Sequence, residues 1–190
     1  MLFLVSKKFV VWTDASTEKI YGRLVTTTGY TIKHGRLPPL IGSTVNEGIY
    51  NSIGELTAGI DCLSTLVAYC EGLGINPSKR KIVLKTDFNY LKKVIDSDMS
   101  FSFNEEKMRL INELKELQKR FKRVRCDEIE RKDNIAHNIC VLKIRDIAYG
   151  DMKENEELIK RRTRGFVKNF YEIYENPSLC EVKVPPLKLS

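Results

Sequence analysis

The most constraining feature of the chain is one long amphipathic stretch. From Asn51 to about Glu71, the apolar residues Ile53, Leu56, Ile60, Leu63, Leu66, Val67 and Cys70 recur at three- and four-residue steps. Runs rich in β-branched and aromatic residues stand on either side of it, at 9–14 and 20–33 before and at 81–86 after. A helix of this length between strands must bury its stripe on a sheet, which makes the chain α/β.

The remaining pattern extends that reading. Residues 34–50, with His34-Gly35, Pro38-Pro39, Gly42 and Gly48, predict a loop leading into the long helix. Phe88 to Ile95 suits a short helix, and Asn104 is placed to cap a charged one running to about Arg120 with Met108, Ile111, Leu114, Leu117 and Phe121 on one face. Val124 to Ile129 predicts a strand. A last helix from about Asn134 to Ala148 would bury Ala136, Ile139, Cys140, Leu142, Ile144 and Ile147, with Gly150 ending it. The expected order is β-β-β-α-β-α-α-β-α, a mixed five-stranded sheet flanked by helices, with Trp12 in the core. Residues 1–150 form one domain, and residues 151–190 form an appendage with an extra C-terminal helix carrying Phe166, Phe170 and Tyr174.

Composition narrows the chemistry. The formal charge of +7 favours an anionic partner. Residues 151–190 hold eight basic and seven acidic side chains, so the excess lies in residues 1–150. The five cysteines are odd in number and lack a Cys-x-x-Cys pair, which argues against a disulfide framework or a zinc ribbon. With only His34 and His137 available, any metal must be held mainly by carboxylate oxygens. Uninterrupted apolar runs fall far short of the ~20 residues of a membrane span. The segment from Met1 to Val5 lacks a preceding basic region, so a cytoplasmic, reducing location is expected.

Three acids stand at element junctions: Asp14 at the predicted end of the first strand, Asp87 after the strand at 81–86, and Glu55 in the opening turns of the long helix. In open α/β sheets, ligands bind at the carboxyl ends of adjacent strands. Carboxylates gathered there repel one another unless a divalent cation neutralises them, and two such ions about 4 Å apart serve phosphodiester hydrolysis.

The residues around these acids resemble the ribonuclease H type 1 family. Thr13-Asp14-Ala15-Ser16 is similar to its Thr-Asp-Gly-Ser motif, Asn51-Ser52-Ile53-Gly54-Glu55-Leu56 to its Asn-Asn-x-x-Glu-Leu, and Thr86-Asp87-Phe88-Asn89-Tyr90 to its Thr-Asp-Ser-Gln-Tyr. Arg131-Lys132-Asp133-Asn134-Ile135-Ala136-His137 resembles its Arg-x-x-Asn-x-x-Ala-Asp. The likeness spans residues 9–149. It implies a ribonuclease H-like fold, Asp14, Glu55 and Asp87 as metal ligands, and two Mg²⁺ or Mn²⁺ ions. It also implies hydrolysis of the RNA strand of RNA–DNA hybrids.

The chain departs from the family where His137 replaces the fourth acid, which leaves an imidazole as the expected support of the second ion. By the same resemblance Asn51, Ser52 and Asn89 match positions facing the minor groove, where 2′-hydroxyls distinguish RNA. Lys92 and Lys93 are the best placed of several basic clusters to meet phosphates. A binding or partner-docking module with weak or no hydrolysis is the competing expectation, motivated by His137.

Overall fold

The computed structural model describes residues 7–20, 23–33, 35, 39–97 and 104–149. Its elements are β1 (Lys8–Ile20), β2 (Arg23–Lys33), β3 (Leu40–Glu47), α1 (Asn51–Gly72), β4 (Lys81–Thr86), α2 (Asn89–Asp96), α3 (Glu105–Lys119), β5 (Arg123–Glu128) and α4 (Ile135–Tyr149). Single 3₁₀ turns at Pro77–Lys79 and Arg131–Asp133 precede β4 and α4. The expected helix at 151–175 and Gly150 lie outside the described residues.

One mixed sheet runs β3-β2-β1-β4-β5. β1, β2 and β3 form an antiparallel meander, whereas β1–β4 and β4–β5 are parallel. The β1–β4 pairing covers only Lys8 to Trp12, while β2 continues beside β1 as far as Ile20. Asp14 therefore sits in the middle of β1, where a strand end was expected. The strand continues because its antiparallel partner does, and only its other flank loses its neighbour.

The pleat sorts the sheet into two faces. Asp14 is opposite Gly29, and Ala15 is opposite Thr28. The face with Ala15, Thr28 and Tyr30 receives α1, and the face with Asp14, Thr27 and Gly29 receives α4. A Cβ on Gly29 would lie 2.8 Å from Cys140 Sγ and 3.1 Å from the Ala136 carbonyl, so this glycine lets α4 approach the strand closely. Gly54 does the same on the other face, where a Cβ would stand 2.6 Å from Thr26 Cγ2 and 3.0 Å from Ala15 Cβ. The first turn of α1 is further fastened by Thr26, whose hydroxyl donates to the Ile49 carbonyl at 2.7 Å.

The loop expected over residues 34–50 contains a full strand. Residues 40–47 pair with β2, and Gly42 marks a packing gap there, because its missing Cβ leaves room for the Tyr30 ring. The bend falls instead at Gly48, which has a φ of +77°.

The core between α1, α3 and the sheet is built on Phe9, Ile32, Leu56, Leu63, Leu66, Ile82, Leu84, Ile111 and Leu114. Long and apolar enough to cross a membrane by length and composition, α1 instead buries most of its apolar side chains here. Asn104 caps α3 as expected, accepting from the Lys107 N–H at 3.0 Å. Ile147, expected in the core, is exposed, because α4 ends beyond the last strand it packs on. Trp12 is half-buried, with the Lys85 ammonium 5.3 Å from its ring centre.

Candidate active site

Past Trp12 and Thr86 the parallel pair ends, and a cleft of about 300 Å³ opens. It is lined by Asp14, Ser16, Asn51, Glu55, Asp87 and Arg131, among others. Three elements deliver the acids. Asp14 projects from mid-β1, Asp87 follows β4, and Glu55 comes from the second turn of α1, which Gly54 lets settle on β1 and β2.

Each acid is held differently. Asp14 is 3% exposed, and its Oδ2 lies 2.8 Å from His137 Nδ1. Burial pushes its carboxyl above the ordinary carboxylate value, and Asp87 pushes the same way, while the contact with His137 and the charge of Arg131 pull it back. Glu55, also 3% exposed, is raised to about 9, first by burial and then by the negative charges of Asp14 and Asp87. The Ala15 N–H and the Asn51 side chain donate to it. Its Oε2 is buried without a hydrogen-bond partner.

Asn134 ties these parts together from a position only 2% exposed. Its amide donates to Asp87 Oδ1 at 2.7 Å and to the Thr13 carbonyl at 2.9 Å. Its own Oδ1 accepts the Ala136 N–H at 3.2 Å, capping α4. One side chain thus fixes Asp87, β1 and the helix carrying His137. Beyond the cap, the Cys140 thiol donates to the Asp14 carbonyl at 3.3 Å. Arg131 Nε donates to His137 Nε2 at 3.3 Å. Asn134 and Arg131 stood in the sequence motif, but the pattern gave no sign that one would grip Asp87 and the other His137.

The structure therefore brings Asp14, Glu55 and Asp87 to one cleft, with His137 bonded to Asp14. Among the described residues, no three carboxylate, imidazole or thiol side chains already meet at a point that could hold a metal ion. The donor set nonetheless suits a hard divalent cation, because it comprises mutually repelling carboxylates, one with a buried oxygen lacking a partner. Asn51 is exposed on the rim and accepts from Thr17 Oγ1 at 3.3 Å, and Ser52 is half-buried. Asn89, exposed at the start of α2, donates to Glu128 Oε2 at 2.9 Å. Lys92 is engaged within the fold, paired with Asp96 and donating to the Cys126 carbonyl at 3.1 Å, whereas Lys93 is exposed. In the basic run 119–125, Lys119, Arg120 and Arg125 pair with Glu116, Glu71 and Asp127.

Solved structures share this fold. Ribonuclease H1 from the halophilic archaeon Halobacterium salinarum matches with a TM-score of 0.54 at 16% identity, covering 70% of this chain and 93% of that one. The fold is that of the type 1 ribonucleases H. A ribonuclease H1 isolated from compost by a metagenomic approach gives a TM-score of 0.58 at 15% identity over 70% of this chain and 92% of its own. A third structure, a type 1 ribonuclease H with the type 2 active-site motif, gives 0.56 at 14% identity over 76% and 74%. No protein-family model and no curated protein matches the chain. Within the type 1 ribonuclease H fold, the cleft lies where β1 and β4 part company.

Proposed function

We propose that this chain is a divalent-metal-dependent endoribonuclease that hydrolyses the RNA strand of RNA–DNA hybrids, with Asp14, Glu55 and Asp87 as the residues that would hold the metal. The observation carrying this reading is the Glu55 carboxyl, raised first by burial and then by Asp14 and Asp87, beside a cleft that all three acids line at the sheet's switch point. A bound divalent ion would neutralise these carboxylates and supply an activated water for attack on a phosphodiester. A compost-derived ribonuclease H1 of the same fold has been solved in complex with an RNA/DNA hybrid, which supports the substrate class.

The chain's own groups fit that work. The Arg131 guanidinium faces the cleft and suits a phosphate oxygen. Asn51 and Ser52 at the start of α1 offer short amide and hydroxyl groups for ribose hydroxyls, and Asn89 offers another at the start of α2. Lys93 can neutralise a phosphate of the companion strand. Asn134 keeps Asp87 aimed at the same space as Asp14.

The test is cleavage of an end-labelled RNA–DNA hybrid with Mg²⁺ or Mn²⁺, beside double-stranded RNA and DNA. Cleavage confined to the RNA of the hybrid and lost in Asp14→Asn is expected. Full activity in that variant overturns the assignment. A second reading, a hybrid-binding module without turnover, is favoured by one observation: both ring nitrogens of His137 are already engaged. It predicts hybrid binding with no product in either ion.

A further inference from the structure

The two contacts of His137 fix more than its position. Arg131 Nε can only donate a hydrogen bond, so His137 Nε2, 3.3 Å away, must present its lone pair. In the neutral ring the proton is then on Nδ1, which donates to Asp14 Oδ2 at 2.8 Å. A histidine ligates a metal through a ring lone pair. Here the one lone pair is directed at a guanidinium, and one Asp14 oxygen is occupied by the ring's N–H.

Charge points the same way. Arg131 lines the cleft beside the three carboxylates, so a positive group of the protein already stands on the α4 side of Asp14. A second cation entering there would meet that charge and would find no carboxylate at position 137 to offset it. The His137 side chain is only 21% exposed, and both of its ring nitrogens are engaged by protein groups.

We infer that Arg131 and His137 form a fixed cationic arm standing in for a second divalent ion, so that the cleft takes one divalent ion, held by Asp14, Glu55 and Asp87, with His137 a positioning residue and not a ligand. This rests on reading the cleft as a cation site, and it departs from the two ions that the sequence resemblance implies.

The experiment uses the full chain and two readouts other than activity. Calorimetric titration with Mn²⁺ is expected to give one site per chain. Long-range ¹H–¹⁵N NMR, with His34→Gln used to assign the two rings, is expected to show His137 as the Nδ1–H tautomer both without and with saturating Mg²⁺. Two Mn²⁺ sites in the unsubstituted chain, none at all, or a His137 nitrogen moving to a metal-bound shift would each overturn the inference. His137→Asp restores a fourth carboxylate, and Arg131→Ala, at an exposed position, removes the competing charge. At least one folded variant of the pair is expected to bind a second Mn²⁺. If every variant that folds, as judged by circular dichroism, still binds one, the stand-in role is wrong. Hybrid cleavage is measured on the same samples. One Mn²⁺ site and an Nδ1–H ring without cleavage would sink the hydrolytic reading alone, and cleavage with two sites would sink only the inference.

Discussion

Two polar clusters built around acids lie against this sheet, and only one of them is built like a site. Asp61, on α1, has its Oδ2 3.2 Å from Thr44 Oγ1 and 3.4 Å from Thr28 Oγ1, two hydroxyls that also pair with each other, so their two protons are shared among the three contacts. Nearby, the Tyr30 and Thr65 hydroxyls pair at 2.8 Å. Burial raises the Asp61 carboxyl, much as it raises Asp14. Yet its acceptors are served by neutral hydroxyls, and it lines no part of the cleft. Around Asp14 a second and a third carboxylate face the same space, one with an oxygen left without a donor. Burial of an acid is thus shared by both clusters. What distinguishes the cleft is three carboxyl groups held together by packing elsewhere, with an oxygen of one left without a partner.

That contrast breaks first at the acids themselves. Asp14→Asn should lower hybrid cleavage by at least about three orders of magnitude, since it removes a proposed ligand to the reacting ion. Asp61→Asn should leave cleavage within about twofold and change stability by less than about 1 kcal/mol, because an amide oxygen can still accept from Thr28 and Thr44. Equal losses in steady-state assays of the two variants would erase the distinction between the clusters.

Asn134→Ala comes next. It strips a donor from Asp87 and from the Thr13 carbonyl and uncaps α4, so activity should fall roughly 10–100-fold and urea denaturation should show a loss of about 2 kcal/mol. A stable, fully active variant would mean that Asp87 keeps its aim without the amide.

A third comparison uses pH. The carboxyl of Glu55 is raised in the folded chain to about 9, so its contribution to stability is complete below its ordinary value of 4.5 and is lost as pH rises toward about 9. Without divalent ions, Glu55→Gln should therefore raise the melting temperature at pH 9 by at least about 2 °C and have little effect at pH 4. Saturating Mg²⁺ should narrow the difference by stabilising the unsubstituted chain. The smallest expected effect separates two neighbouring lysines. Lys93→Ala should reduce the salt dependence of hybrid binding by about one phosphate contact, whereas Lys92→Ala should act mainly on stability, because it breaks the pair with Asp96 inside α2 and unfastens that helix from the Cys126 carbonyl.

Much of the fold was legible because periodicity reports burial directly. The stripe from Ile53 to Cys70 and the Asn104 cap needed no partner to be recognised. β3 was missed because Gly42 reads locally as a breaker, and its purpose, making space for Tyr30, depends on a residue twelve positions earlier in another strand. The end of β1 was misplaced for the same kind of reason, since whether a strand continues past Asp14 depends on β2. In the site, the acids carried local signatures. The grip of Asn134 on Asp87 spans 47 residues, and the contact of His137 with Asp14 spans 123. The bond between Arg131 and His137 is short in sequence but needs the 3₁₀ turn at Arg131–Asp133 to exist.

The chain contains a single tryptophan, and its position gives the cleft an optical reporter. Trp12 lies two residues before Asp14 on β1, so the alternation of the strand turns both side chains to the same face. It stands where the parallel pairing with β4 ends, with the Lys85 ammonium over its ring. Indole emission responds to nearby charge, so ion or hybrid binding that shifts β4 against β1 would register as a change in intrinsic fluorescence. Occupancy of the cleft could then be followed in real time without attaching a label.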